Sequence, residues 1–421
     1  MRALLVFLLP AMVAWGQYDL LLRGGHVIDP KNQIDALMDV AVQGGKVAEV
    51  APSIAAAKAK KVIDVGGLYV TPGLVDIHTH LFHTTGVKEA WAGDNSVMPD
   101  GFSFRSGITT MVDAGSSGWR NFDTFRHTVI DRVKTRVLAM VNIAGLGMMT
   151  DIVEQEASDF KPEEVAKVYA KNRDVVVGVK SAHYQRPDWS SVERAIEAGG
   201  LTGLPVMVDV GYFLPERPYW QLVTEKLRAG DITTHVFRGP VPWLDESGKV
   251  YEYLKRARAR GVVFDVGHGG ASFILRNAVP ATAQGFYPDT ISTDLHVTSM
   301  NGPMMDMPTT MSKLLAMGMP LGEVVRASTW KPAQVIRRAE LGHLSVGASA
   351  DIAVWNLMKG EFGFRDAFGG RIAGRQRLLC ELTLQAGEIA WDWNSRSAED
   401  YRKLGPDYGV RPGLDQIVRP R

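Results

Sequence analysis

The sequence predicts an α/β chain: a (β/α)8 TIM barrel with a small composite β-sandwich domain formed by the N- and C-terminal segments. Through the middle of the chain, short apolar runs alternate with amphipathic stretches, the signature of parallel βαβ units. Both ends instead show brief alternating runs punctuated by glycine. Imidazole, carboxylate and lysine side chains stand where the central apolar runs stop, which on a parallel barrel is the face that carries chemistry.

The elements follow in order. Residues 1–16 begin Met1-Arg2, continue as an apolar run to Trp15 and end Ala14-Trp15-Gly16 before Gln17, the pattern of a cleavable export signal. The run is shorter than the ~20 residues a spanning helix needs. The mature chain is therefore expected in the periplasm or secreted, with no stable membrane association. Residues 17–71 hold short strand-like runs, with Gly44-Gly45 as a turn between two of them, and are assigned to the β-sandwich. Residues 72–335 are assigned to the barrel, with strands expected at 74–78, 108–113, 137–143, 175–179, 206–210, 232–236, 262–266 and 290–294. Segments such as 162–171, 191–197 and 250–258 carry apolar residues at helical spacing between them. Residues 336–394 return to strand-and-turn character and are expected to complete the sandwich. Residues 395–421 are polar, with Pro and Gly, and read as a surface arm.

Composition narrows the function. Of 421 residues, 46% are hydrophobic and 22% charged, which is ample for a core. The 47 basic residues balance 46 acidic ones, for a net charge of +1. That gives no electrostatic footprint for nucleic acid and points to a small-molecule substrate. The sequence leaves homo-oligomer formation open. Cys380 is the only cysteine, so no intramolecular disulfide forms, and a lone thiol late in the chain reads as a buried apolar residue.

The candidate site residues lie at the strand ends. The first strand ends Asp76-Ile-His78-Thr-His80, and two histidines two apart on an extended segment point to one side, where both can bind one ion. Lys180 ends the fourth strand after an apolar run. An ammonium there would be desolvated beside cations, which is unfavourable, whereas a neutral lysine can take up carbon dioxide as a carbamate and bridge two ions. His183, three residues on, is the local competitor. Asp209, His235 and Asp294 end the fifth, sixth and eighth strands, and Asp294 is the candidate general base and acid. Asp113, at the end of the second strand, reads as structural. Tyr184 and Arg238 follow strand-end residues and are candidates for recognising a polar group of the substrate.

The chain resembles the amidohydrolase superfamily, and within it the dihydroorotase-like amidohydrolase/deacetylase group. The matching pieces are Pro72-Gly-Leu-Val-Asp-Ile-His-Thr-His80, Gly178-Val-Lys180, Gly230-Asp-Ile-Thr-Thr-His235, Phe264-Asp-Val-Gly-His-Gly-Gly-Ala-Ser-Phe273, Ser292-Thr-Asp294 and Gly347-Ala-Ser-Ala-Asp351-Ile-Ala-Val. The resemblance implies two divalent ions, often zinc, and a carboxylated lysine. His78, His80 and Asp294 would hold the more buried ion, His235 would belong to the other, and Lys180 would join both. It also implies that His268 contacts substrate. One departure stands out: the fifth strand ends in Asp209 where many members carry a ligand histidine. Aspartate can supply an oxygen to the second ion instead, or serve as partner to a ligand.

The expected activity is hydrolysis of an amide or ester bond of a small acylated substrate through a metal-bridging hydroxide. The rivals are cyclic-amide hydrolysis, as in dihydroorotases and hydantoinases, and a non-catalytic barrel scaffold.

Overall fold

A computed structural model of the chain describes residues 17–414. The segment expected to be an export signal, 1–16, and the last residues of the expected arm, 415–421, lie outside the described residues. Among the described residues no helix is long and apolar enough to cross a membrane.

The strands of the middle of the chain form one parallel sheet in sequence order: Leu74–Thr79, Ile108–Gly118, Arg136–Asn142, Val176–Ser181, Val206–Val208, Ile232–Thr233 and Val263–Phe264. Segment 290–295 joins the two edges. Val266 N–H donates to the Thr290 carbonyl on one side, and on the other His80 N–H donates to Leu295 and Leu295 N–H to His78. The sixth and seventh strands are shorter than the sequence predicts, and 290–294 contributes only isolated bridges. The reason is local: His235 (φ +60°), Gly267 (φ +46°) and Asp294 (φ +49°) leave extended geometry for the left-handed region and interrupt the ladder, which resumes after Asp294 only at Leu295.

Both faces of this sheet are buried, which is why its strands read as near-continuous apolar runs. Val75, Ile77, Val112, Ala114, Leu138 and Met140 form one cluster with Ile336 and Leu341, which close its lower end. Residues between them, such as Val137, Ala139 and Val141, pack instead with the helices. Those helices arise where the spacing predicts them, at Pro162–Lys171, Ser190–Thr202 and Glu252–Ala259. Pro162 starts the first of these without loss, because its missing N–H would have no partner in the first turn.

The two ends of the chain share a second sheet. Its order is Glu388–Asp392, Arg371–Gln385, Ile352–Arg365, Tyr69–Pro72, Leu20–Asp29, Ile34–Gln43 and Lys46–Ala51, with Val62–Asp64 added beside Leu20–Asp29. Gly44 and Gly45, both at positive φ (55° and 75°), make the tight hairpin between Ile34–Gln43 and Lys46–Ala51. Leu20–Asp29 is a single strand with a bulge between Leu22 and Gly25. Fully buried Trp355 donates its indole N–H to Thr71 Oγ1 at 2.9 Å, a bond between two neighbouring strands of this second sheet just before the chain enters the first barrel strand.

Candidate functional site

The structure gathers His78, His80, Lys180, Asp209, His235 and Asp294 into one mouth at the ends of the parallel strands. All six are buried. His80 Nε2 lies 3.1 Å and His78 Nε2 3.6 Å from Asp294 Oδ1. Lys180 Nζ is 3.1 Å from His78 Nε2. The His78 and His235 rings are 5.1 Å apart, and His235 Nε2 is 3.0 Å from Asp209 Oδ2.

Buried partners fix which nitrogen of each imidazole carries the proton. Asp265 accepts hydroxyl hydrogen bonds from Thr234 (2.7 Å), Thr290 (2.6 Å) and Ser292 (2.6 Å). With its proton so committed, the Thr234 oxygen accepts from His78 Nδ1–H at 2.9 Å, which leaves a lone pair on Nε2. His235 Nδ1–H donates to the Gly267 carbonyl at 2.6 Å; burial works against its charge, but Asp209 holds it above the usual imidazole value, so Nε2 is placed to donate to Asp209 Oδ2. His80 Nδ1 pairs with Ser116 Oγ at 2.9 Å. Asp113 accepts from the Ser116 and Leu81 N–H groups, so its role is to shape the turns beside His80. Asp76 accepts from Thr293 N–H, the Thr293 hydroxyl and His78 N–H, pinning segment 290–295 against the first strand so that Asp294 meets the histidines. Burial pushes the Asp76 carboxyl up to about 7.

This donor set fits a divalent cation. One nitrogen each from His78 and His80 and one oxygen of Asp294 lie within 4.8 Å of one another. Burial works against the charge of Asp294, but its contacts with the surrounding histidines, among them His80 Nε2 at 3.1 Å, hold its carboxyl well below the ordinary range, so it stays an anion. Burial holds His78 well below the usual imidazole value, so it stays a neutral donor. Lys180 is fully buried, makes no ion pair with any carboxylate among the described residues, and is driven by burial towards its neutral form. A solvated surface charge is therefore ruled out for it.

Above these residues opens a cavity of about 390 Å³, lined by His80, His183, Asp209, His235, Asp294 and His296, with Gly270–Ser272 and Gly302–Pro303 along its rim. Trp91 walls one side, 4.3 Å between ring centres from His296 and 5.3 Å from His80. The three residues expected to touch substrate do not line this cavity. His268 is fully buried and stacks on Phe273, with Nε2 accepting from Lys313 Nζ at 2.7 Å, which holds the ring away from the mouth. The Tyr184 hydroxyl donates to Asp188 at 3.1 Å. Arg238 is drawn to Asp209, with Nη1 3.7 Å from Oδ1.

Sequence reasoning missed Trp91, Glu154 and His296, and gave His183 only as a rival to Lys180. His296 had a signal: it stands two residues past Asp294, as His80 stands two past His78. Trp91 and Glu154 lie in loops with no apolar run to frame them.

Residues 275–386 match the amidohydrolase family. The chain is 35% identical over 341 residues to a deacetylase of Agrobacterium fabrum, covering 79% of this chain and 81% of that one. It is 28% identical over 388 residues to a deacetylase of Enterococcus faecalis, covering 88% and 99%. Among solved structures it is similar to one described as an adenine deaminase, with a TM-score of 0.80 and 28% identity over 89% of this chain and 100% of that one. Another, described as a dihydroorotase, has a TM-score of 0.76 and 31% identity over 88% and 98%.

Proposed function

The chain belongs to the amidohydrolase superfamily and is a hydrolase acting on C–N bonds. From that premise we propose that it removes the acyl group from a small amide, or from a hydroxy-acid ester, at a centre of divalent ions. The observation that carries this reading is the convergence of His78, His80 and Asp294 beneath a half-open pocket, with Nδ1 of each histidine held by a buried hydroxyl. The deacetylase relatives, aligned over most of the chain, favour an acyl group as the part removed.

His78, His80 and Asp294 would hold one ion and His235 with Asp209 another. Lys180, as its carbamate, would stand between them. Bound there, divalent ions would polarise the scissile carbonyl and lower the pKa of water. The chain's own groups do the rest. Asp294 turns Oδ1 to the two histidines and leaves Oδ2 towards the cavity, 3.8 Å from His296 Nε2. That oxygen takes the proton of the attacking water and delivers it to the departing nitrogen or oxygen. His296 Nδ1 accepts from the Thr298 hydroxyl and Ser299 N–H, so its Nε2–H faces the cavity on the side of Oδ2. Trp91 and the 270–272 loop exclude water and offer an apolar wall. The pocket volume suits a small molecule, not a polymer.

A screen of N-acyl amino acids, acyl hydroxy acids, dihydroorotate and hydantoins, with chelated and zinc-reloaded protein, tests the reading. Metal-dependent release of an acyl group supports it. Turnover confined to the ring substrates would favour cyclic-amide hydrolysis, which the dihydroorotase relatives, 28% identical over 267 residues, keep in view. A chain that binds no metal and turns over none of these would be a scaffold. Labelled bicarbonate and carbon NMR test Lys180 directly: a carbamate resonance absent from Lys180→Met supports the modification.

A further inference from the structure

We propose that Lys313 is a positioning residue for the hydrolysis proposed above: from behind the pocket it ties the two sides of the rim together and, through His268, seats loop 267–272 against Asp294 Oδ2. The inference rests on that reading for its effect on rate, and on hydrogen bonds alone for the tie.

A buried amine needs a reason. Lys313 lies on the helix Met307–Ala316, in which every residue from Met307 to Leu314 is buried, and a leucine or methionine would fill such a setting without the cost of desolvating an amine. Burial pushes the amine down to about 7, and among the described residues it forms no ion pair to offset that cost. What Nζ has instead is two acceptors, His268 Nε2 at 2.7 Å and the Pro303 carbonyl at 2.6 Å. They belong to segments that border the same cavity, one through Gly270–Ser272 and the other through Gly302–Pro303. Among the described residues no hydrogen bond joins those two segments directly, so the amine is the tie between them.

The loop carries that tie to the carboxylate. Burial pushes His268 down to about 3, so its ring stays neutral and Nε2 keeps the lone pair that accepts from Lys313. The ring stacks on Phe273 with centres 4.6 Å apart, which closes the base of the loop between them. The second sheet fastens the far side of that base: Ala367 N–H donates to the Phe273 carbonyl at 3.0 Å, and Leu275 N–H donates to Asp366 at 3.1 Å. Ahead of the base, Gly269 N–H donates to the Thr293 carbonyl at 2.9 Å, and no room for a Cβ remains between Gly269 and Asp294 Oδ2. A shift of His268 is therefore felt at the oxygen assigned to proton transfer.

The test removes the tie at each end. Hydrogen exchange of the full chain, read by mass spectrometry, needs neither substrate nor metal. Lys313→Met should speed exchange about tenfold or more in both 267–274 and 301–305, while the strand Arg136–Asn142 keeps its wild-type rate. His268→Phe should speed it in 267–274 alone, because Pro303 keeps its donor. Cobalt(II) held by His78, His80 and Asp294 then reads the carboxylate. Its visible spectrum should shift in both variants, and kcat on a substrate found by the screen should fall about tenfold or more, changes that a general loss of stability does not produce in the folded fraction. Should Lys313→Met fail to fold, His268→Phe decides. Wild-type exchange in 267–274 overturns the tie. Faster exchange with wild-type spectrum and kcat makes Lys313 a support of the rim only and overturns the positioning role. A wild-type chain that takes up no cobalt overturns the metal reading and leaves kcat to decide; one that turns over no screened substrate overturns the acyl reading and leaves the spectrum to decide. Both failures together overturn the positioning role with them.

Discussion

Gly269 sits at φ +55° directly beside Asp294, and a Cβ placed on it would lie 2.4 Å from Oδ2. Ordinary contact begins near 3.4 Å, so in Gly269→Ala the carboxylate must retreat by about 1 Å, and misplacements of that size cost about a hundredfold in rate. A hundredfold is about 2.7 kcal/mol of transition-state stabilisation. The alanine also meets left-handed backbone strain of about 1–2 kcal/mol, which acts on folding and not on chemistry. Gly285 separates the two effects. It is exposed, has φ +76°, and its Cβ would meet nothing within 4 Å, so Gly285→Ala carries the strain alone. The assay is kcat/KM on the substrate found by the screen, chelator competition for ion affinity, and urea unfolding of both variants. Gly269→Ala should lose activity and ion affinity, whereas Gly285→Ala should lose only stability. Equal activity and ion affinity in the two variants would refute the placement of Asp294 Oδ2 as the working oxygen.

Three further outcomes follow from buried groups. Burial pushes Lys313 down to about 7, so from there to its unfolded pKa of about 10.4 the unfolded chain holds a proton that the folded chain lacks, and stability rises with pH by at most about 1.4 kcal/mol per unit. Urea midpoints at about pH 7.5 and about pH 9.5 should show wild type gaining on Lys313→Met; a flat or falling difference refutes the assignment. Asp351 pairs with Arg136 across the two sheets and accepts from Ala386 N–H at 2.8 Å. Asp351→Ala should cost about 2–3 kcal/mol, below the range for a fully buried pair because Arg136 is 25% exposed, and a urea midpoint shift equivalent to under ~0.5 kcal/mol would contradict this. Cys380 is buried, which pushes its thiol up to about 12, so a thiol reagent at neutral pH should label it only after unfolding; rapid labelling of the native chain would place it elsewhere.

The strand-end residues were legible because an apolar run that stops at a polar side chain marks a position in space as well as in sequence. Val175–Val179 followed by Lys180 needed no pairing partner to be noticed. His268 misled for a related reason: its glycine-rich setting announces close backbone approach but not the direction of the ring. That direction is decided by Lys313, on a helix reached through the next βα unit. Tyr184 likewise turns to Asp188 because a local hydroxyl–carboxylate bond is available. Neither contact leaves a periodic trace.

A deeper limit concerns the residues that make the visible ligands work. Asp76 sits within an apolar run, and its purpose depends on Thr293, 217 positions away. Asp265 lies inside a quoted motif, yet its effect on His78 passes through Thr234, a hydroxyl with no mark of its own. These partners determine the proton positions, and proton positions decide whether an imidazole can donate to a cation. A ligand list read from strand ends therefore names the atoms that could bind, while Thr234, Asp265 and Ser116 hold the imidazoles of His78 and His80 in place behind them. It follows that Asp265→Asn, whose carboxylate stands 3.9 Å from His78 Nδ1 and makes no hydrogen bond to it, should weaken ion binding about 10–100-fold by freeing the Thr234 hydroxyl to donate to His78 Nδ1. Unchanged ion affinity in that variant would show that the His78 tautomer is set elsewhere.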